Sequence, residues 1–408
     1  MNVPASWIIV VVAPLALLGI ALGRYPVFRM NRATIALVGA TLLILSGAMS
    51  LESAYEAVDL NTIVLIFAMM VLNVNLRLAG FFNIISAKIV SFAKTPRQLL
   101  FLLIFSSGIL SGLFLNDTIV LMFTPLILDI VMALNRNPIP YLIALATAAN
   151  IGSAATIVGN PQNMLIGMYS EIPFTAFFLR LAPISLAGLF LIFAVIVLMY
   201  RKEFRSGEKL EPSVQEFRIF KPLLYKSILV MGLMLIAFCA GVKIPLAAIG
   251  AASLLLVTRR IKPERIFREI DWSLLVFFSG LFIITDSFAP LVKDISGNMS
   301  GFAMDLHGIA GLSLVSAVLS NLISNVPAVL LISPHIKEIL DANAAWLTLA
   351  MATTLAGNFT LLGSVANLIV AEMAKQKRVI IKFGEYFKTG AIITVLSLVA
   401  GILWLSLF

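Results

Sequence analysis

Asn116-Asp117-Thr118, Pro125 and Thr156-Ile157-Val158-Gly159-Asn160-Pro161-Gln162-Asn163 form a pattern that returns further along the chain. The second copy is Asn325-Val326-Pro327, Pro334 and Thr360-Leu361-Leu362-Gly363-Ser364-Val365-Ala366-Asn367. In both copies a polar, helix-breaking cluster interrupts a stretch that is otherwise almost wholly apolar. At membrane depth a broken backbone is tolerated only where protein or a watery cavity satisfies its freed groups. Interrupted hydrophobic segments at matching positions of two halves are the best sequence pointer to a transporter's binding site.

The composition agrees with that setting. The chain has 408 residues, of which 61% are hydrophobic and only 12% charged, and its mean hydropathy is +1.05. Soluble chains are roughly 45–50% apolar and about 25% charged. The apolar runs are continuous and of helix length, without the alternation of membrane strands. The expected class is therefore an all-α polytopic membrane protein. Cys239 stands alone, which excludes a disulfide framework and a thiolate metal cluster. His307 and His335 leave little material for a metal-dependent hydrolase. The net charge of +9 is spread over short loops, with no basic tail or domain to track a phosphate backbone, so no nucleic-acid partner is expected. The first apolar run, Trp7 to Gly23, has no basic residue before it and no small-residue cleavage site after it, and reads as a retained helix.

Apolar runs fall near 6–23, 33–50, 60–79, 98–134, 140–170, 175–200, 223–241, 244–258, 272–290, 306–342, 344–374 and 389–407. A span needs about 20 residues. The runs 98–134 and 306–342 are too long for one span and are predicted to fold back as hairpins, with tips at Asn116-Asp117 and Ser324-Asn325. Each half then reads as three helices, a re-entrant hairpin, a broken helix and a final helix, giving about 10–11 transmembrane helices. Repeat 1 would cover 1–200, with scaffold helices in 6–79 and the hairpin and broken helix in 98–170. A linker would occupy 201–222. Repeat 2 would cover 223–408, with its scaffold in 223–290 and its hairpin and broken helix in 306–374. Five crossings per half is odd, as is seven if each hairpin crosses twice, so the repeats are expected to be inverted. Basic residues crowd one set of loops, including Arg29, Arg32, Arg77, Lys94, Arg201, Arg265 and Lys377. By the positive-inside bias both termini face away from the cytoplasm.

Asp117 has the strongest claim to chemistry. A carboxylate near the bilayer centre costs roughly 2.5–3.5 kcal/mol on insertion scales. Such a group serves as a proton or cation coupling site, or more blandly as a helix cap. Asn116, Thr118, Ser324 and Asn325 offer neutral amides and hydroxyls beside helix ends, suited to a ligand that must bind and leave. Their alternative role is closing a tight turn. In the broken helices, Gly159 and Gly363 permit unusual backbone and Pro161 removes a donor. Thr156, Asn160, Asn163, Thr360, Ser364 and Asn367 surround these breaks. Exposed carbonyls there would ligate an ion or substrate; the plainer alternative is a kink whose carbonyls those side chains satisfy. Asp286, in an apolar run near Asn73 and Asn75 of the other half, reads as a second titrating group or, more blandly, as an end-of-helix carboxylate near the outer interface. No Arg or Lys falls deep within a predicted span, so a multiply charged anion would lack a counter-charge in the core.

At these motifs the sequence resembles the ion transporter superfamily, which includes arsenite–antimonite permeases, citrate transporters and divalent anion:sodium symporters. Ser111-Gly112-Leu113-Phe114-Leu115-Asn116-Asp117-Thr118 is similar to the first-hairpin signature of the arsenite-permease branch. Ala149-Asn150-Ile151-Gly152-Ser153-Ala154-Ala155-Thr156 through Asn163 is similar to its broken helix, where an acid often stands at the position of Asn160. Gly357-Asn358-Phe359-Thr360 through Asn367 resembles the partner in the second repeat. The Ser-Asn-Thr triplets of sodium-coupled dicarboxylate carriers are found at neither tip. The resemblance implies an elevator-type transport domain on a scaffold, a homodimer, and no cofactor beyond a coupling ion, H+ or Na+.

The expected function is secondary active transport of a small anion or oxyacid in a prokaryotic plasma (inner) membrane. Proton-coupled efflux of an arsenite- or antimonite-like oxyacid fits best. Sodium-coupled uptake of a dicarboxylate, citrate or sulfate is the near alternative, and a passive anion channel is the rival of another class. No matched nucleophile and base suggests an enzyme.

Overall fold

The computed structural model describes residues 3–23, 29–205, 219–258, 261–298, 308–336 and 341–407. Among these residues the backbone forms twenty helices and no strand. A helix satisfies its own N–H and C=O groups, as a span in hydrocarbon requires. Seven of the helices are long and apolar enough to cross a membrane.

The first half runs α1 (Val3–Leu22), α2 (Arg32–Leu45), α3 (Leu51–Ala57), α4 (Leu60–Ala79) and α5 (Phe81–Phe92). It continues with α6 (Pro96–Leu113), α7 (Asn116–Ala133), α8 (Pro138–Ser153), α9 (Pro161–Ser170), α10 (Phe174–Met199) and the short α11 (Arg201–Phe204). The second half has α12 (Lys221–Cys239), α13 (Ile244–Leu256), α14 (Pro263–Arg268), α15 (Trp272–Asn298), α16 (Ile309–Ile323) and α17 (Asn325–Ile336). It closes with α18 (Ala342–Ala356), α19 (Val365–Gln376) and α20 (Phe383–Leu405). Both overlong runs fold back as expected. The first turn falls on Phe114 and Leu115, so Asn116 already opens α7; the second falls on Ser324. The ends of the 306–342 run and most of the 201–222 linker lie outside the described residues.

Two elements differ from the sequence reading. The run 33–50 ends at Leu45, and a separate α3 starts at Leu51 behind the Ser50 cap. Helix α5 is missing from the list of apolar runs because it is short and carries Asn83, Ser86, Lys88 and Ser91. It forms because Phe82, Ser86, Ile89 and Val90 line up on one buried stripe. Gly80, with φ +83°, supplies the left-handed turn that separates it from α4.

The helices sort into two packed groups. In the first, α2 lies against α15 and α4 against α13, with α1 and α12 packed on these pairs. The α2–α15 crossing is close: a Cβ on Gly280 would sit 2.7 Å from the Ala36 carbonyl. In the second group α6 packs on α8 and α16 on α18, while α10 and α20 lie together behind them. At the α6–α8 crossing a Cβ on Gly152 would sit 2.0 Å from the Gly108 oxygen. The halves repeat each other down to single hydrogen bonds. Ser111 Oγ donates to the Ala149 carbonyl at 2.6 Å, and Ser320 Oγ donates to the Thr353 carbonyl at 3.2 Å.

Candidate functional site

Four helices begin where the polar clusters interrupt the chain. Asn116 opens α7, Asn325 opens α17, Pro161 opens α9 behind its Asn160 cap, and Val365 opens α19 behind its Ser364 cap. The caps follow from side-chain chemistry. Asn160 Oδ1 accepts from the Asn163 N–H at 2.8 Å, and Ser364 Oγ accepts from the Ala366 N–H at 3.3 Å. Pro161 costs nothing at the first helical position, where its missing N–H would be unpaired anyway. Asn116, Pro161, Asn325, Ser364 and Val365 all line one cavity of about 340 Å³. Each helix start carries roughly half a positive charge, so four of them bias the cavity toward anionic or strongly accepting ligands.

Of the thirteen residues singled out by sequence, five line this cavity: Asn116, Asp117, Ser324, Asn325 and Ser364. Asp117 is half-buried in the first turn of α7, and its backbone N–H donates to Asn116 Oδ1 at 2.9 Å. Its carboxyl accepts no hydrogen bond among the described residues. Asn325 Oδ1 accepts from Ser320 Oγ at 2.5 Å, which leaves the Asn325 amide N–H₂ to donate elsewhere.

The other eight residues build the frame behind the cavity. Asn163 Nδ2 donates to the carbonyls of Ser153, Ala154 and Thr156 at 3.2, 3.4 and 2.9 Å. Asn367 Nδ2 does the same for Gly357 and Thr360 at 2.8 and 3.1 Å. The carbonyls freed by each break are thus taken up by the asparagine seven residues on. Asn160 Nδ2 reaches Ser153 Oγ at 2.8 Å, and Thr156 Oγ1 donates to the Gly112 carbonyl of the adjacent hairpin. Thr118 Oγ1 accepts from Asn73 Nδ2 of α4 at 3.2 Å, joining the first tip to the other helix group. Gly159 and Gly363 serve by their lack of bulk, since neither has a positive φ. A Cβ on Gly159 would lie 2.3 Å from the Ser153 oxygen; one on Gly363 would lie 2.9 Å from Asn321 Oδ1.

Sequence reasoning missed several functional candidates. Asn150 of α8, fully buried, makes all four hydrogen bonds an amide can make. It donates to Asn358 Oδ1 and Asn367 Oδ1 at 2.8 and 3.0 Å, and accepts from Asn116 Nδ2 and Ser364 Oγ at 3.1 and 3.0 Å. One side chain therefore ties the first tip to the second break. Thr354 holds the matching place in α18: Asn160 and Gln162 donate to its hydroxyl, which donates to Asn163 Oδ1, each at 3.4 Å. A buried polar residue two turns before each break was the available signal.

Arg32, Asp271 and Glu372 also line the cavity. Basic-loop counting places Arg32 in a loop, yet it is the first residue of α2 and, among the described residues, the one basic residue on the lining. The expectation of no counter-charge concerned the interior of the spans; Arg32 stands outside that interior, at a helix end that the cavity reaches. Asp286 lies inside α15 and is exposed. No group of three His, Cys, Asp or Glu able to hold a metal ion occurs among the described residues.

Known proteins match this arrangement along almost the whole chain. A silicon efflux transporter of rice, LSI3 from Oryza sativa subsp. japonica, is 31% identical over 86% of this chain and 87% of its own. The putative transporter arsB of Dictyostelium discoideum is 25% identical over 91% of this chain and 86% of its own. Among solved structures, the YdaH transporter of Alcanivorax borkumensis superposes with a TM-score of 0.62 at 13% identity, covering 99% of this chain and 97% of that one. At that identity the likeness speaks for the fold alone. The citrate transporter family model matches residues 15–356. With its interrupted helices meeting at one cavity, the chain belongs to the citrate transporter family, within the ion transporter superfamily.

Proposed function

We propose that this protein exports a small weak oxyacid across a membrane by alternating access, in exchange for a proton carried on Asp117. The observation that carries this reading is the single cavity lined by both tips and by the starts of the helices that follow both breaks, with the Asp117 carboxyl unpaired within it. A site with neutral amides, one guanidinium and several helix starts suits a small oxygen-rich ligand. Asp117, Asp271 and Glu372 share that lining with Arg32, so a citrate-like trianion would meet more carboxyl groups than cations, and like charges in proximity are costly. The names of the rice silicon efflux transporter and the Dictyostelium arsB protein point toward the same chemical class.

The two helix groups divide the labour. The group holding both hairpins and both broken helices is internally cross-tied through Asn150 and Thr354, and moves as one body. The group built on α2–α15 and α4–α13 stays as the scaffold, and two copies of the chain associate through it. A step of this kind must break the Asn73–Thr118 hydrogen bond, which spans the two groups.

Reconstitution into liposomes tests the proposal. A proton gradient should drive a small oxyacid such as hydrogen selenite, or arsenite or silicic acid at a pH where part of it is singly ionised, uphill in vesicles containing the wild type. Asp117→Asn should abolish the uphill movement, lowering it on the order of tenfold or more, as expected for losing a charged hydrogen-bonding group. Accumulation driven by sodium and indifferent to pH would replace the proton with Na+. Downhill flux without accumulation would identify a channel instead.

A further inference from the structure

Arg32 and Asp117 line the same cavity from different helix groups, and neither is neutralised by a direct contact. Arg32 follows the Asn31 cap, whose Oδ1 accepts from the Thr34 N–H at 2.9 Å. The guanidinium itself makes no hydrogen bond or ion pair among the described residues. It rests against Gly23, where an added Cβ would lie 3.6 Å from Arg32 Nε. Helix α2 is held in place by its close crossing with α15, so the base of this side chain is well fixed. The remaining acids on the lining are otherwise placed. Asp271 Oδ1 accepts from the Leu274 N–H at 3.2 Å and caps α15, and Glu372 is exposed on α19.

Donor and acceptor counting then restricts the ligand. A guanidinium offers only donors, and an ionised carboxylate offers only acceptors. A ligand that satisfies both at once must present an acceptor oxygen, best a charged one, to Arg32 and an O–H to Asp117. We infer that the site recognises an oxyacid in its singly ionised, hydroxyl-bearing form, with Arg32 as the anion anchor and Asp117 as the acceptor of the remaining O–H. This rests on the oxyacid reading of the same cavity and narrows it. A fully deprotonated oxyanion leaves Asp117 facing bare oxygens. A neutral hydroxy acid leaves the guanidinium without its charged partner. Sites built to hydrogen-bond a substrate hydroxyl discriminate strongly against analogues that lack it, because their own polar groups are left unpaired.

Three probes separate these cases on the purified full-length chain by titration calorimetry: hydrogen selenite at mildly acid pH, nitrate, and boric acid. The wild type should bind hydrogen selenite at least ~10-fold more tightly than either other probe, about the effect of one charge-assisted hydrogen bond. Arg32→Gln should weaken hydrogen selenite to the level of boric acid while leaving boric acid unchanged, and Arg32→Lys should restore part of the difference. Asp117→Asn should erase the preference for hydrogen selenite over nitrate. Matching unfolding midpoints without ligand show that each variant is folded. The inference is overturned if nitrate binds as well as hydrogen selenite. It is likewise overturned if Arg32→Gln weakens all probes alike or none, or if the wild type binds no probe. Proton-driven transport in liposomes without this selectivity would remove the ligand assignment and keep the transporter. The selectivity without any transport would do the reverse.

Discussion

The two hairpin tips occupy matching places in their repeats, yet they are built differently. The first turns through Leu115 at φ −58°, ψ 126°, relaxed backbone for any residue, and its Asn116 N–H donates to the Gly159 carbonyl of the neighbouring break at 3.0 Å. The second turns at Ser324 with φ +80° and ψ 159°, a region that is essentially reserved for glycine. The first tip carries the carboxyl of Asp117, whereas the second has Val326, 8% exposed, after its asparagine. The first tip thus places charge on a relaxed turn, and the second places strain on a neutral one.

Moving the charge should break the comparison most sharply. Val326→Asp puts a second carboxylate into a buried tip position and should destabilise the protein by about 3 kcal/mol, the order of the insertion penalty for such a group. A lowered thermal unfolding midpoint in detergent would register it. Removing the tie between the first tip and the second break comes next. Asn150→Ala leaves the Asn358, Asn367, Asn116 and Ser364 side chains short of partners and should cost about 2–3 kcal/mol, with substrate-dependent stabilisation lost in the same samples.

The glycines at the breaks offer a paired test. Gly159→Ala should destabilise by about 2 kcal/mol, since its Cβ would press on the backbone oxygen of Ser153. Gly363→Ala should cost less, because its Cβ would lie 2.9 Å from its nearest atoms, Asn321 Oδ1 and the Gly357 oxygen, against 2.3 Å at Gly159. Equal losses at the two sites would contradict the crowding seen here. A smaller effect, of opposite sign, is expected at the strained turn. Ser324→Gly should raise the unfolding midpoint, stabilising by about 1 kcal/mol, while Leu115→Gly should lower it. The weakest contact tested is the exposed pair of Lys377 Nζ and Asp129 Oδ1 at 2.6 Å. Lys377→Ala should change stability by less than about 1 kcal/mol, and high salt should remove even that difference.

Much of the fold was legible because hydrophobic run length and helix breakers are local properties. Runs too long for one span had to fold back, and Pro161 with Gly159 had to interrupt a helix wherever they stood. Helix α5 escaped because its stripe is apolar on one face only, so run length alone does not reveal it. Within the site, Asp117 and the tip amides were legible as polar groups in apolar surroundings. Asn163 and Asn367 were equally visible, but the same signal marks a residue that binds ligand and one that closes its own helix break. Arg32 was hidden for the opposite reason: a basic residue at a helix end looks like an ordinary loop charge until a distant cavity reaches it.

By itself, the sequence determined a membrane-spanning helical chain with two interrupted segments in corresponding places, because an apolar medium leaves the backbone few other ways to satisfy its polar groups. Only the tertiary structure decided which of those polar residues face open space. Asn150 and Thr354 bring helix starts from both halves around one cavity, and the α2–α15 crossing carries Arg32 to its edge. That outcome depends on contacts between residues some two hundred positions apart, such as Asn150 with Asn358, which no local pattern of residues encodes.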